Sequence, residues 1–211
     1  MPEHVDFRTG EGLSELVQLA EEMASNRSIL GITGAPGAGK STLSGRLVAA
    51  LDGRAVVAGM DGFHLTNDEL LRLGRRDRKG APDTFDVHGY MAMLWRIRNE
   101  PGDIYAPEYQ RGIGHSIAGA IRVPADTPLV ITEGNYLLLD EGLWSSVRGL
   151  LDEVWYVEVP EEIRVERLIA RHIESGKDPE RARAWTLGPD QANAELVAQH
   201  RDRADRIITL D

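Results

Sequence analysis

Gly34-Ala35-Pro36-Gly37-Ala38-Gly39-Lys40-Ser41, followed directly by Thr42, fits the spacing G-x-x-x-x-G-K-[ST] of a phosphate-cradling loop. Ile29-Leu30-Gly31-Ile32-Thr33 ahead of it is short, apolar and partly β-branched, which predicts a buried strand. Behind it, Leu43, Leu47, Val48 and Leu51 recur at the spacing of one helix face. A strand, a glycine-rich loop and a helix in that order are the context the motif needs. The glycines let successive backbone N–H groups close on phosphate oxygens at the positive end of the helix. On this reading residues 34–42 hold a nucleoside triphosphate, Lys40 reaches its β- and γ-phosphates, and the Ser41 hydroxyl ligates Mg²⁺.

Working outward, apolar runs alternate with helical patterns. Leu13, Leu16, Val17, Ala20 and Met23 predict a leading helix over about 10–26. Strands are expected at Ala55–Met60, Leu129–Thr132 and Val154–Val159, with a closing one near 205–209. Thr66, with Glu69 three residues on, predicts a capped helix over 66–73. A helix carrying Val87, Met91, Leu94 and Trp95 follows. Residues 104–123, aromatic and β-branched but broken by glycines, read as a hairpin. An Arg-rich helix starts at Pro160, and a long one is expected over 179–203. The four tryptophans, Trp95, Trp144, Trp155 and Trp185, are read mostly as core. The expected fold is a single three-layer α/β domain over 1–211, with a five-stranded parallel sheet, helices on both faces and a hairpin excursion.

Composition narrows the partners. A net charge of −10 argues against a nucleic-acid backbone as ligand, because such binding is built on Lys and Arg contacts. There is no cysteine, which removes disulfides and thiolate chemistry, and no histidine pair has the HExxH spacing of a zinc site. The N-terminal residues have no apolar signal core and the chain no 18-residue apolar run, so a cytoplasmic protein without a membrane partner is expected.

Functional groups in open parallel sheets gather beyond the carboxyl ends of the strands. The first strand leads into the loop at Gly34, the second ends at Asp61 and the third at Glu133. A phosphate cradle and two carboxylates at one crevice are the parts of phosphoryl transfer, with one carboxylate taking a hydroxyl proton. A GTP switch is disfavoured by the lack of N-K-x-D, and a motor by Ile131-Thr132-Glu133-Gly134 where an Asp-Glu pair would stand. A nucleotide-binding regulator or sensor with little transferase activity is the alternative reading.

The order Asp61-Gly62-Phe63-His64, Lys79-Gly80-Ala81-Pro82-Asp83-Thr84-Phe85-Asp86, Ala106-Pro107-Glu108-Tyr109 and Ile131-Thr132-Glu133-Gly134 resembles the phosphoribulokinase, uridine kinase and type I pantothenate kinase family of P-loop kinases. The resemblance runs from about Ile29 to the C-terminus and is strongest to a small bacterial branch labelled as nucleoside, nucleotide or fructose kinases. It implies an ATP- and Mg²⁺-dependent kinase acting on a hydroxyl of a small molecule, commonly as a homodimer. It implies Asp61 as base and Glu133 beside Mg²⁺. Over about 62–123 it implies acceptor contacts from Asp61, Asp83, Phe85, Tyr109 and His115, to which His64, Arg111, Glu133 and Asn135 are added as candidates. The helix with Arg167, Arg171 and Lys177 matches the family's phosphate-contacting lid, about 164–190, with Arg171 as a catalytic candidate and Arg167 on the nucleotide. Asp205 falls near the adenine side. The spacing from Tyr109 to His115 departs from uridine kinase, and the flanking segments of pantothenate kinase are absent.

Overall fold

Adjacent residues of each central strand point to opposite faces of one sheet, and that alternation builds two cores. Ile29, Val130, Val154, Tyr156 and Ile207 face one layer, while Leu30, Ile131, Trp155, Val157 and Ile208 face the other. The computed structural model describes residues 1–6 and 12–210. In chain order these form β1 (Glu3–Asp6), α1 (Gly12–Met23), β2 (Ser28–Thr33), α2 (Lys40–Ala50), β3 (Ala55–Val57), α3 (Asn67–Arg72) and α4 (Val87–Asn99). Then follow β4 (Ile104–Gln110), β5 (His115–Val123), β6 (Leu129–Glu133), β7 (Glu153–Glu158), α5 (Glu161–Glu174), α6 (Pro179–Trp185), α7 (Gln191–Ala198) and β8 (Arg206–Thr209).

The main sheet is parallel, in the order β1-β8-β7-β2-β6-β3. Helices α1 and α2 pack Leu16, Ala20, Leu43 and Leu47 on one face. On the other, α4 brings Tyr90, Leu94 and Ile97 and α7 brings Val197. The antiparallel pair β4–β5 stands apart as the expected hairpin, with a register shift between Ala106 and Glu108. Among the described residues, no helix is long and apolar enough to cross a membrane.

The sheet has six strands and not five. The additional strand, β1, is four residues long and buries only Val5, too little pattern to read as a strand, and it is fixed by its ladder to β8. The start of the leading helix expected near residue 10 lies outside the described residues, and α1 ends at Met23. The long helix expected over 179–203 is interrupted: α6 passes through a wide π-type turn at Thr186–Asp190 into α7, and Arg201–Arg203 forms a separate 3₁₀ turn. Pro189, which has no N–H to give, sits in that π turn. Asp205 is also corrected. It precedes β8, accepts the Val154 N–H at 2.6 Å and pairs with Arg148 at 2.8 Å, at the strand ends opposite the Gly34 loop.

Candidate active site

The loop at 34–39 is shaped by glycine where nothing larger fits. Gly34 has a positive φ, and a Cβ there would collide with the Val157 carbonyl oxygen of β7. At Gly37, also at positive φ, a Cβ would meet the Arg164 carbonyl oxygen at 2.9 Å and Leu168 at 2.8 Å, so α5 packs directly on the loop. Lys40 opens α2 and folds back: its Nζ donates to Gly34 O at 2.9 Å, Ala35 O at 3.0 Å and Asn135 Oδ1 at 2.7 Å. Burial lowers the Lys40 pKa to about 8, against the pull of Glu133 and Asp61 upward and with Arg171 and Arg111 adding to the fall.

The ends of neighbouring strands carry the acids. Ser41 Oγ donates to Glu133 Oε2 at 2.9 Å. Burial raises the Glu133 carboxyl above its ordinary range, opposed by Lys40 and the Ser41 hydrogen bond. Asn135 is held because Thr33 Oγ1 donates to its carbonyl at 3.0 Å and Gly134 N donates to Ile32 O at 3.1 Å, tying the ends of β2 and β6 together. Asp61 lies in the 3₁₀ turn Met60–Phe63 after β3. Burial pushes its carboxyl up, but the positive surroundings of His64, Arg111, Lys40 and Arg171 outweigh that and leave it below the ordinary carboxylate range. Arg111, from the hairpin turn, pairs with it at 3.1 Å.

An aromatic wall stands beside Asp61. His64 Nδ1 donates to the Asp61 carbonyl at 2.8 Å, and its ring packs on Phe85 at 4.1 Å and Tyr109 at 4.7 Å between centroids. Backbone bonds Leu65 N to Thr84 O and Asp86 N to Phe63 O pair these two stretches and fix the wall. Desolvation lowers the His64 pKa and so favours the neutral ring, outweighing the Asp61 charge and carbonyl, which pull it up.

These groups line one cavity of about 590 Å³, together with Arg167 and Arg171 of α5. Burial, followed by the charge of Arg111, lowers the Arg171 pKa. Two of the candidate acceptor contacts are not on the wall. Asp83 is turned to Arg78 at 2.8 Å and Arg75 at 3.2 Å, and His115 pairs with Gln110 across the hairpin, leaving the preceding Gly114 to face the cavity. Gly34, Ala35 and Ala38 shape the loop from behind its lining residues.

Asn67, Asp190 and Asn193 line the cavity although nothing in the sequence singled them out, and Arg76, Lys79 and His172, which stand in basic stretches of the sequence, line it too. Arg76 and Lys79 belong to the basic run 74–80. His172 Nε2 donates to Asp190 Oδ2 at 2.7 Å and Lys177 Nζ donates to His172 Nδ1 at 3.1 Å, with Lys177 also 5.5 Å from the Trp185 ring centroid. Trp185 thus lines the cavity, and Trp95 is 53% exposed; neither fills the core, whereas Trp144 and Trp155 do.

The chain matches the family described as Phosphoribulokinase / Uridine kinase over residues 29–209. It is 34% identical over 203 residues to the uncharacterized protein YggC of Escherichia coli (strain K12), covering 94% of this chain and 84% of that protein. It is 32% identical over 184 residues to a protein of Schizosaccharomyces pombe named "Putative uridine kinase C227.14", covering 82% of this chain and 78% of the other. A crystal structure described as a "putative fructose transport system kinase" from Silicibacter sp. TM1040 superposes with a TM-score of 0.84 at 36% identity, covering 94% of this chain and 98% of that one.

Proposed function

The chain belongs to the phosphoribulokinase / uridine kinase family of ATP-dependent P-loop kinases, and on that premise we propose that it transfers the γ-phosphate of Mg²⁺·ATP to a hydroxyl of a small metabolite. One observation carries the reading: the Asp61 carboxylate shares a cavity with Lys40, Ser41 and Glu133, and its surroundings keep it ionised.

Ser41 Oγ and Glu133 Oε2 converge at the start of α2 as two hard oxygen donors, the chemistry Mg²⁺ takes. Glu133, whose burial disfavours its charged form, gains from a cation beside it. These two residues would hold the ion, which supplies neutralisation of charge on the phosphate oxygens. Lys40 exchanges the Gly34 and Ala35 carbonyls for the β- and γ-phosphates, with the loop's N–H groups as the rest of the cradle. Arg167 and Arg171, on the lid about 164–190, neutralise the phosphoryl group in flight, and the closed lid keeps water from competing with the acceptor.

Asp61 accepts the hydroxyl proton as the new O–P bond forms. His64, Phe85 and Tyr109 offer the acceptor an aromatic wall, and Arg111 and Asn135 offer polar contacts. The excursion at about 62–123 is therefore the acceptor side. Nucleoside, pantothenate-like and sugar acceptors are the classes to compare.

Asp61→Asn tests the assignment. Its turnover with the best acceptor of a panel should fall by about two orders of magnitude or more, as general-base losses do, with the nucleotide Kd little changed. Turnover near wild type would remove Asp61 from the chemistry. Tight ATP binding with no phosphorylated product from any acceptor class would favour a sensor.

A further inference from the structure

The basic run 74–80 divides its charge between two sides. Arg75 and Arg78 are turned to Asp83, at 3.2 and 2.8 Å, and Asp77 lies 3.8 Å from Arg78. Arg76 and Lys79 line the cavity instead. Among the described residues no hydrogen bond or ion pair engages Arg76. Lys79 Nζ donates only to neutral oxygens, Asn67 Oδ1 and Gly114 O, each at 2.8 Å. A chain with a net charge of −10 has acids enough to pair these two cations, yet among the described residues none pairs with either.

The other cavity cations have partners or roles. Arg111 is taken by Asp61, Lys177 by His172 beside Asp190, and Lys40, Arg167 and Arg171 by the phosphates of the nucleotide in the reading above. A continuous run of contacts leads from Asp61 to Lys79. His64 bonds the Asp61 carbonyl, Tyr109 stacks on His64, and Lys79 Nζ lies 5.1 Å from the centre of the Tyr109 ring. Along that run the base stands at one end and Lys79 at the other, with Arg76 on the same cavity wall. Asn67, whose Oδ1 is used by Lys79, keeps its Nδ2 to donate at the same end.

We propose that the acceptor carries an anionic oxygen group, a phosphate monoester or a carboxylate, seated against Arg76 and Lys79 while its hydroxyl lies at Asp61. This rests on the kinase reading and narrows its acceptor class. Burial and the neighbouring Arg76 charge lower the Lys79 pKa to about 8, as expected of a cation waiting for a counter-charge. A solvated charge run, the plain alternative for 74–80, would leave neither residue on the cavity wall nor Lys79 bonded to Asn67 and Gly114.

The test fills the nucleotide site with Mg²⁺ and a non-hydrolysable ATP analogue, then titrates inorganic phosphate or malonate by calorimetry. Wild type should take up at least one of the two, and which one separates the phosphate source from the carboxylate source. Arg76→Ala/Lys79→Met should weaken that uptake tenfold or more, with analogue affinity and circular dichroism unchanged. Arg75→Ala, whose side chain faces Asp83, should leave it unchanged. In turnover, hydroxy acids or sugar phosphates should exceed neutral nucleosides and sugars, and the double variant should raise their KM far more than it lowers kcat. Absence of uptake by the nucleotide-filled wild type, equal uptake by the double variant, or a neutral best acceptor indifferent to that variant overturns the proposal. Failure of the analogue to bind, or an inert Asp61→Asn change, overturns the kinase reading instead.

Discussion

Lys79 holds its proton less tightly in the fold than a free lysine does, and the consequence is a pH-dependent stability. Its folded pKa is about 8, lowered by burial and by Arg76, against 10.5 in an unperturbed side chain. Between those values the unfolded chain binds a proton that the folded chain has released, so stability rises with pH across that window. Lys40, lowered to about 8 by burial, acts in the same direction. Near pH 10 the buried tyrosines reverse the trend: burial raises Tyr90, Tyr136 and Tyr156, so the unfolded chain ionises first and stability falls. Tm measured in steps from pH 7.5 to 9.5 should therefore climb, and Lys79→Met should flatten the climb. A wild-type Tm that falls steadily across this range would contradict the unmatched charge at 79. At this scale the sequence was most legible where chemistry sets the spacing. Lys40, Ser41, Asp61 and Glu133 all stand on the cavity wall. It was least legible where a local ion pair or a ladder turns a side chain away, as for Asp83 with Arg78 and His115 with Gln110.

Among the elements, the stretch from α5 through α6 to the π turn acts as a unit because its polar groups are bonded to one another. Asp190, in the π turn, takes the His172 Nε2–H, and Lys177 bridges from His172 to the Trp185 ring. Sequence periodicity foretold α5 but neither the interruption after α6 nor this link, since an Arg-rich amphipathic pattern reads the same whether or not its neighbour is interrupted. The interruption at Pro189 brings Asp190 and Asn193 to the cavity. A cation over an indole contributes about 0.5–2 kcal/mol and perturbs its emission only while the geometry holds. Nucleotide binding that moves this segment should change the fluorescence of Trp185. Trp185→Phe should abolish most of the change on adding Mg²⁺·ATP, although Trp95, Trp144 and Trp155 remain. A full signal in that variant would locate the movement elsewhere. Lys177→Met should shift the emission of the nucleotide-free protein and reduce its response, which separates loss of the cation from loss of the ring.

Across the whole molecule, the sheet gathers the candidate site beyond the ends of β2, β3 and β6 and ends in a strand, β1, none of whose residues lines the cavity. Alternating apolar runs were enough to foresee the three layers, because each central strand must satisfy two cores at once. β1 escaped that logic: as an edge strand it buries one side chain, Val5, at 3% exposure, and is held by its pairing with β8. Such a strand should contribute stability without contributing to the reaction. Val5→Ala removes two buried methyl groups from the layer that also holds Leu16, Ile208 and Leu210. The expected cost is about 1–2 kcal/mol, a fall in Tm of roughly 2–8 °C for a domain of this size. The same variant should keep kcat and nucleotide affinity within about twofold of wild type, since β8 and β7 separate β1 from the loop at Gly34. A lowered Tm with intact kinetics would assign β1 to support alone. A loss of nucleotide affinity at temperatures well below the melt would instead mean that β1 sets the position of β8, whose following Leu210 approaches Gly39, and through it the phosphate loop.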